Sequence, residues 1–185
     1  MNNKQEPWEA HPEIWATKSK FFTWLRGGIR LAVWNKYPPK LTFKNKVCKP
    51  PPEGLETRAK TGSHCALSGE WVGKSKSEVD HIIGNASLRG WEDLTGFIQH
   101  LCTDHSNMQL VSKEAHKIKS YAERMNISFT EAVLVKKAIA FGKLPISEQK
   151  EYLLLHSVGG KSMMNAKARK GAYLEILKKG GCDGL

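Results

Sequence analysis

Residues that can do acid–base and metal chemistry are concentrated between Glu78 and Ser120. An acid and a histidine stand side by side at Asp80 and His81, Asn107 follows further along, and His116 comes soon after it. Hydrolysis of a phosphodiester requires a cation that neutralises charge at the phosphate and a base that takes a proton from water near neutral pH. The carboxylate and the second histidine are ligands for such a cation, and the first histidine can act as the base. This stretch therefore indicates metal-dependent hydrolysis.

The donor types also bear on the metal. A carboxylate and few protein ligands favour Mg²⁺, whereas an imidazole ligand widens the choice to Mn²⁺, Zn²⁺ or Ni²⁺. Taken singly, Asp80, His81 and His116 are better explained as residues of a strand-end turn and a helix surface. Their joint order and spacing makes that structural explanation the weaker one.

The local pattern predicts two strands and a helix that carry these side chains. The second strand is predicted over Asn107 to Val111. Ser112 is a favourable N-cap, and Lys113 to Met125 contains no Gly or Pro and places apolar residues at helical spacing, so a helix with His116 in its first turns should follow. The first strand is predicted from β-branched Val79, Ile82 and Ile83, with a break at Gly84 and Asn85.

Adjacent residues on a strand point to opposite faces, so Asp80 and His81 can serve one site only if the strand bends or ends beside them. With that condition met, two strands and a helix can converge the acid and both histidines on one point.

These residues resemble the HNH endonuclease family, whose ββα-metal motif has Asp-His on the first strand, Asn before the second and His on the helix. The likeness is closest to phage-type HNH proteins and covers Cys65 to Arg124. The flanks 19–44 and 165–177 also look similar. The resemblance implies an α+β, mostly helical fold around a single ββα-metal core with N-terminal and C-terminal helices. It also implies a phage protein that acts on DNA in the cytoplasm of a bacterial host.

The same resemblance implies a role for each matching residue. Asp80 and His116 would ligate one divalent metal ion, with Mg²⁺ expected first and Mn²⁺, Ni²⁺ or Zn²⁺ as alternatives. His81 would be the general base, and Asn107 would brace the loop that carries it. Lys117 and Lys119 would lie against the phosphate backbone of DNA.

One departure from the family concerns its structural zinc. Many relatives hold a zinc ion with two Cys-x-x-Cys pairs, where this chain has Cys65 with Ser68 and Ser112 with Ala115. One thiolate cannot build a tetrahedral zinc site at those positions, so no structural zinc is expected. A second departure is the long segment between the two strands. Residues 88–101 predict a short helix that could replace the zinc, with Trp91, Leu94, Ile98 and Leu101 on one side.

Composition sets further bounds. At 185 residues and 40% hydrophobic content, the chain can bury one core and is expected to be one compact domain with extensions. No apolar run approaches the ~20 residues needed to cross a bilayer, so no membrane partner is expected and the protein should be soluble and intracellular. The cysteines lack a disulfide-framework spacing and are expected to be reduced, namely Cys48, Cys65, Cys102 and Cys182.

The formal charge of +11 is uneven, because Ile14 to Pro52 carries nine Lys or Arg and no acid. Such a segment attracts a polyanion, and nucleic acid is the commonest one; a solvated, solubilising surface is the alternative. The predicted DNA-binding cations here are Lys18, Lys20, Arg26 and Arg30. Tryptophans at 15, 24 and 34 could stack on bases, but helical spacing favours a place in the core.

Three segments are predicted along the chain. Residues 1–54 form a basic, aromatic-rich helical arm, 55–126 the nuclease core, and 127–185 a C-terminal helical extension. In the arm, residues 1–13 are expected to be loosely ordered, Thr17 caps a helix from Lys18 to Tyr37 that Pro38 ends, and 41–47 is extended. In the extension, helices are predicted over 129–141, 147–156 and 162–179, with Arg169 facing outward.

The sequence thus predicts metal-dependent hydrolysis of DNA phosphodiester bonds by an HNH endonuclease. Two other readings stay open. One is a non-catalytic DNA-binding module on an HNH scaffold, which the missing zinc cysteines make conceivable. The other is an RNA-directed nuclease, because a basic segment does not distinguish RNA from DNA. The sequence does not specify the oligomeric state or the choice between nicking and double-strand cleavage.

Overall fold

The protein has an α+β fold that is mostly helical, as the sequence predicts. A computed structural model describes residues 5–84 and 86–180, and it is 58% helical and 10% strand. The chain divides into two compact units, Met1–Lys113 and Glu114–Leu185. The predicted break at Asn85 and the thiol of Cys182 lie outside the described residues. The division into an arm, a nuclease core and a C-terminal extension stays a prediction.

The first unit begins with three helices, α1 (Pro7–Ala10), α2 (Lys18–Ala32) and α3 (Pro38–Val47), with a 3₁₀ turn at Trp34–Lys36. The predicted cap of α2 is confirmed, since the Thr17 hydroxyl accepts a hydrogen bond from the Lys20 N–H at 3.3 Å.

Two predictions in this region are wrong. The helix does not reach Tyr37, and 41–47 is helical rather than extended. Pro38 and Pro39 begin α3 instead of closing α2, because proline has no N–H to lose in a first turn and its φ is already helical.

The N-terminal helices belong to a core and are not a loose arm. Phe21 and Phe22 are 5% and 1% exposed and share an apolar cluster with Leu88, Phe97 and Leu101. Trp8 and Trp15 pack against the same cluster, so the expectation of a loosely ordered start is wrong from the beginning of α1 onward. Burial of these rings removes a large apolar area from water and ties α2 to the segment between the two central strands.

The strands form two antiparallel pairs. The first pair is β1 (Gly62–His64) with β2 (Trp71–Gly73), and the second is β3 (Ser77–His81) with β4 (Met108–Ser112). In the second pair Asp80 faces Gln109 and His81 faces Met108. The strand ends at His81, so Ile82 and Ile83 lie beyond it and are 50% and 67% exposed. The predicted first strand therefore extended too far.

The segment between β3 and β4 contains the predicted helix, as a 3₁₀ turn at Trp91–Asp93 and α4 (Leu94–Leu101). Its buried face was predicted incorrectly in part. Phe97 and Leu101, one turn apart, are buried, whereas Ile98 is 38% exposed. One residue turns the side chain by roughly 100° around a helix, which takes Ile98 off the stripe that Phe97 and Leu101 share.

The second unit consists of helices. These are α5 (Lys113–Met125), whose first residue lies at the boundary, α6 (Phe129–Phe141), α7 (Ile146–Leu155) and α8 (Ala166–Lys178). The bounds of α5 match the prediction, and the Ser128 side chain caps α6 by accepting from the Glu131 N–H. Phe141, Leu153, Tyr173 and Leu177 form its core.

The prediction that Arg169 faces outward is wrong, because its side chain is buried and only 6% exposed. Its Nε donates to Gln149 Oε1 at 2.8 Å and an Nη to the Met163 carbonyl at 3.1 Å. The Gln149 amide in turn donates to the Leu144 carbonyl at 2.6 Å. A buried guanidinium needs such acceptors because its charge is costly to bury alone.

Among the described residues, no helix combines the length and the apolar character required to cross a membrane. The thiols of Cys48, Cys65 and Cys102 are free, in line with the expectation of reduced cysteines.

Candidate active site

Asp80 lies one residue before the end of β3 and is 9% exposed. The amide of Gln109, its cross-strand neighbour, donates to Asp80 Oδ2 at 3.1 Å. A carboxylate with so little access to water gains from a nearby cation, and a hard divalent ion prefers oxygen ligands of this kind. The role of metal ligand that the resemblance gives Asp80 stays a prediction.

His81 ends β3 and is half-buried. Its Nε2 lies 3.3 Å from the carbonyl oxygen of Leu101, the last residue of α4. A carbonyl can only accept a hydrogen bond, so Nε2 carries the proton and Nδ1 carries the lone pair. The contact therefore selects the tautomer whose Nδ1 can accept a proton.

The His81 ring is also held by two aromatic neighbours. It stacks with the indole of Trp34 at a centroid distance of 4.2 Å and an angle of 28°, and with the imidazole of His100 at 5.1 Å and 25°. Trp34 comes from the N-terminal helices and His100 from α4, so two separate elements fix the plane of this ring. Stacked pairs of this kind contribute about 0.5–1.5 kcal/mol beyond burial.

Burial lowers the pKa of His81 below its usual value, because the charged imidazolium loses water. The Leu101 carbonyl opposes that shift, the charges of His100 and Arg30 reinforce it, and Asp80 opposes it. Because the net effect is a lowered pKa, the imidazole ring of His81 is favoured in its uncharged form near pH 7. A neutral imidazole with its lone pair on Nδ1 is the form that a general base requires.

Asn107 fixes the chain that leaves His81. Its side-chain Oδ1 accepts from the backbone N–H of Ile83 at 2.8 Å, and its own carbonyl accepts from the Ile82 N–H at 3.0 Å. The side chain thus holds the loop directly after the histidine, which is the place where the resemblance puts a bracing asparagine.

The positions of the family's zinc ligands come together around one buried thiol. Cys65 is 2% exposed, and its sulfur accepts from the Ser112 N–H at 3.3 Å. Burial raises the pKa of this thiol, but hydrogen bonds from Ser68, Ser112 and Leu67 outweigh that effect and lower it. Three of the four positions, Cys65, Ser68 and Ser112, are therefore neighbours in the first unit, joined by hydrogen bonds to sulfur.

His116, Lys117 and Lys119 lie on α5 in the second unit. His116 is half-buried and Lys117 is exposed. The Lys119 ammonium lies 3.6 Å from a Glu123 carboxylate oxygen, one turn further along the helix. Any phosphate bound by Lys119 has to compete with that carboxylate.

The cations predicted to bind DNA on α2 differ in their surroundings. Lys20 is exposed, and Lys18 Nζ lies 5.8 and 5.7 Å from the ring centres of Trp8 and Phe22. Arg26 is half-buried, and the Arg30 guanidinium lies 5.8 Å from the ring centre of Phe97.

Other lysines of the basic segment have structural contacts. Lys44 Nζ donates to the Ser77 carbonyl at 2.7 Å, at the start of β3. Lys40 Nζ lies 4.5 Å from the ring centre of Trp34. These two cations support the strand and the tryptophan next to His81.

The sequence analysis missed Trp34 and His100 as neighbours of the candidate base. The helical spacing of Trp34 predicts only a place in the core, and the sequence gives no role to His100. Nothing in their local sequence reports a contact with His81, since each comes from a different part of the chain. Comparisons of this chain with family models, with curated proteins and with solved structures give no match.

Proposed function

We propose that this chain is a metal-dependent endonuclease of the HNH type that hydrolyses phosphodiester bonds of DNA. The observation that carries the proposal is the environment of His81. A half-buried imidazole with a lowered pKa, its Nε2 on the Leu101 carbonyl and its loop held by Asn107, is prepared to act as a base through Nδ1.

In this proposal His81 Nδ1 takes the proton of the water that attacks phosphorus, and the ring becomes an imidazolium beside Asp80. The nearby carboxylate stabilises that charge, whereas Arg30 and His100 favour its loss to solvent and the return of the neutral ring. The two stacked aromatic neighbours and the Leu101 contact hold the ring in one plane, so little reorganisation is needed at each turnover.

Asp80 and His116 are the proposed ligands of one divalent cation, Mg²⁺ or else Mn²⁺, Ni²⁺ or Zn²⁺. When bound, the ion would stabilise the charge that develops on the phosphate and on the leaving 3′ oxygen. Metal binding has its own test, namely isothermal titration of Mn²⁺ into wild type, Asp80→Asn and His116→Ala. Each substitution should weaken binding, and the two together should not weaken it much further, because they share one ion.

The test of activity is cleavage of a supercoiled plasmid with each of the four metals and with a chelator. Wild type should convert the plasmid to nicked or linear DNA only with metal, and His81→Ala should lose this activity while it still binds DNA. His156→Ala is the matched control, because His156 is an exposed histidine of the second unit.

The other outcomes identify the alternatives. Binding of DNA without cleavage in any of the four metals would support the non-catalytic module. Preferential cleavage of RNA in competition with duplex DNA would support the RNA-directed nuclease. Cleavage by His81→Ala at the wild-type rate would refute the role assigned to the base.

A further inference from the structure

A cavity lined by basic residues lies between α2 and the loop that follows β3. It has a volume of about 610 Å³ and is lined on the helix side by Lys18, Phe22 and Arg26 and on the loop side by Arg89 and Glu92. Three cations therefore line a space that holds a single carboxylate. Like charges around one cavity repel one another, and a bound anion offsets that repulsion.

Within the described ranges, neither arginine of this cavity is paired with an acid. In the parts of the chain that the structure describes, 5–84 and 86–180, the guanidinium groups of Arg26 and Arg89 make no ion pair or hydrogen bond. The Arg89 backbone is nevertheless fixed, because its N–H donates to Asp93 Oδ2 at 2.8 Å. Guanidinium groups present planar donors that match phosphate oxygens.

The walls of the cavity are packed against each other below its floor. Phe22 on the helix and Leu88 on the loop are 1% and 4% exposed and belong to one apolar cluster. Trp91, just beyond the loop, packs on Phe22 at 5.1 Å between ring centres and donates to a Glu6 carboxylate at 2.9 Å. The backbones that carry the two arginines are thus held at a fixed separation, which favours binding without a large ordering cost.

The cations also lead toward His81. Lys18, Phe22, Arg26 and Arg30 follow one another at intervals of four residues, so they are neighbours along one face of α2. The Arg30 guanidinium lies over the ring of Phe97, which packs in one cluster with Leu101, the residue whose carbonyl contacts His81. A second cavity of about 410 Å³ shares Ser87 and Glu92 with the first and reaches His100, which stacks on His81.

We propose that the first cavity, together with Arg30 on the same face of α2, forms a groove that binds the sugar-phosphate backbone of one DNA strand. In this groove Lys18, Arg26, Arg30 and Arg89 would lie beside the phosphodiester bond that the water activated by His81 attacks. The inference rests on the proposed function for its ligand, and it adds two things. Arg89 becomes a DNA-binding residue that the charge pattern of the N-terminal segment does not include. Arg26 and Arg89 become a paired phosphate site rather than part of a diffuse basic surface.

The test uses a charge-matched pair of variants and measures binding without chemistry. Arg26→Met with Arg89→Met removes two charges from the groove and keeps the apolar stems. Lys46→Met with Lys49→Met removes two charges from exposed positions of the same basic segment, outside the groove. Binding of a fluorescein-labelled 20-base-pair duplex is followed by anisotropy in a chelator at several salt concentrations, and thermal unfolding confirms that both variants are folded.

The groove variant should bind about tenfold or more weakly, and its slope of log affinity against log salt should fall by about 1.8, or about 0.9 for each phosphate contact. The control should stay close to wild type. Equal losses in both variants, or no binding by wild type, would overturn the groove. If the double variant is unfolded, Arg89→Glu against Lys46→Glu repeats the comparison at exposed side chains.

The two proposals fail separately. A wild type that cuts plasmid while the groove variant binds like the control would reject the groove and keep the nuclease. A wild type that never cuts, but whose DNA binding depends on Arg26 and Arg89, would reject the nuclease and keep the groove. Preferential binding of a single-stranded RNA of the same length by the groove would overturn the assignment to DNA.

Discussion

Replacement of Trp34 tests whether the aromatic stack prepares His81 as a base. In Trp34→Leu the ring of His81 loses the neighbour that lies 4.2 Å away and gains access to water. Since burial is the main reason for its lowered pKa, the pKa should rise toward the ordinary value of about 6.5. The acid limb of the cleavage rate should move to higher pH accordingly. The charged and titratable neighbours that remain are Asp80, Arg30 and His100.

The cleavage rate on the pH-independent plateau above the acid limb should also fall in Trp34→Leu. A stacked pair is worth about 0.5–1.5 kcal/mol. If that energy orients the ring in the transition state, its loss slows cleavage about 2- to 13-fold, at about 1.36 kcal/mol per factor of ten. Trp34→Phe keeps a ring beside His81 and should lie between wild type and Trp34→Leu.

The assay combines a pH–rate profile of plasmid cleavage with an NMR titration of the His81 ring. The titration does not depend on activity, so it reports on the stack even if the chain cuts nothing. Trp24→Leu is the control, since Trp24 is 58% exposed on α2, before the 3₁₀ turn that carries Trp34, and packs with Trp15 and Phe21. An unchanged His81 pKa in a folded Trp34→Leu, or the same shift in Trp24→Leu, would refute the reasoning.

The remaining predictions concern single contacts. Asn107→Ala should slow cleavage about 2- to 13-fold without weakening DNA binding, because the hydrogen bond from the Ile83 N–H, worth about 0.5–1.5 kcal/mol, is lost with the longer one to the Ile83 carbonyl. An unaltered rate would show that the brace is not needed. Because the folded chain lowers the pKa of His81, the unfolded chain takes up that proton first as pH falls below about 6.5, and stability should decrease. The fall in Tm from about pH 7 to about pH 5 should be smaller in His81→Gln, and an equal fall would contradict the assignment. Cys65→Ala should reduce the free energy of unfolding by about 1–3 kcal/mol in urea titrations, since a buried sulfur and its hydrogen bonds are lost. Gln149→Leu should lower the free energy of unfolding by about 1.5–3 kcal/mol in the same urea titrations, because it removes an acceptor of the buried Arg169 guanidinium. An unchanged free energy of unfolding would contradict this role of Gln149.

The central elements were predictable because their signals are local. Lys113 to Met125 has no helix breaker and follows a favourable cap, and the helix has those bounds. The β-branched residues around Val79 indicated a strand, although its end was misplaced. Tertiary pairing decided that end, since the cross-strand ladder stops at His81 and the Ile82 N–H already belongs to the Asn107 turn.

Other features depend on contacts that a local pattern does not contain. Pro38 and Pro39 can close one helix or open another, and here they open α3. Arg169 was predicted to face outward on the last helix, but Gln149 on α7 supplies an acceptor for its buried guanidinium. Trp34 was recognised as apolar without any indication that its ring lies on His81.

In the proposed HNH-type nuclease, the contacts around Cys65 and His81 would take the place of the structural zinc ion that many members of that family carry. In such a family member the zinc ion would fix the turn between β1 and β2 to the end of β4 through four strong bonds. Here the Cys65 thiol accepts a hydrogen bond from the Ser112 N–H and keeps those two places adjacent, but this bond is weak and does not contact His81. His81 is held instead by elements outside the β3–β4 pair. α4 provides the Leu101 carbonyl and His100, the N-terminal helices provide Trp34, and the Phe22 cluster joins those helices to α4. Loss of Trp34 should therefore disturb His81 more than loss of Cys65, whereas loss of Cys65 should lower stability without shifting the His81 pKa.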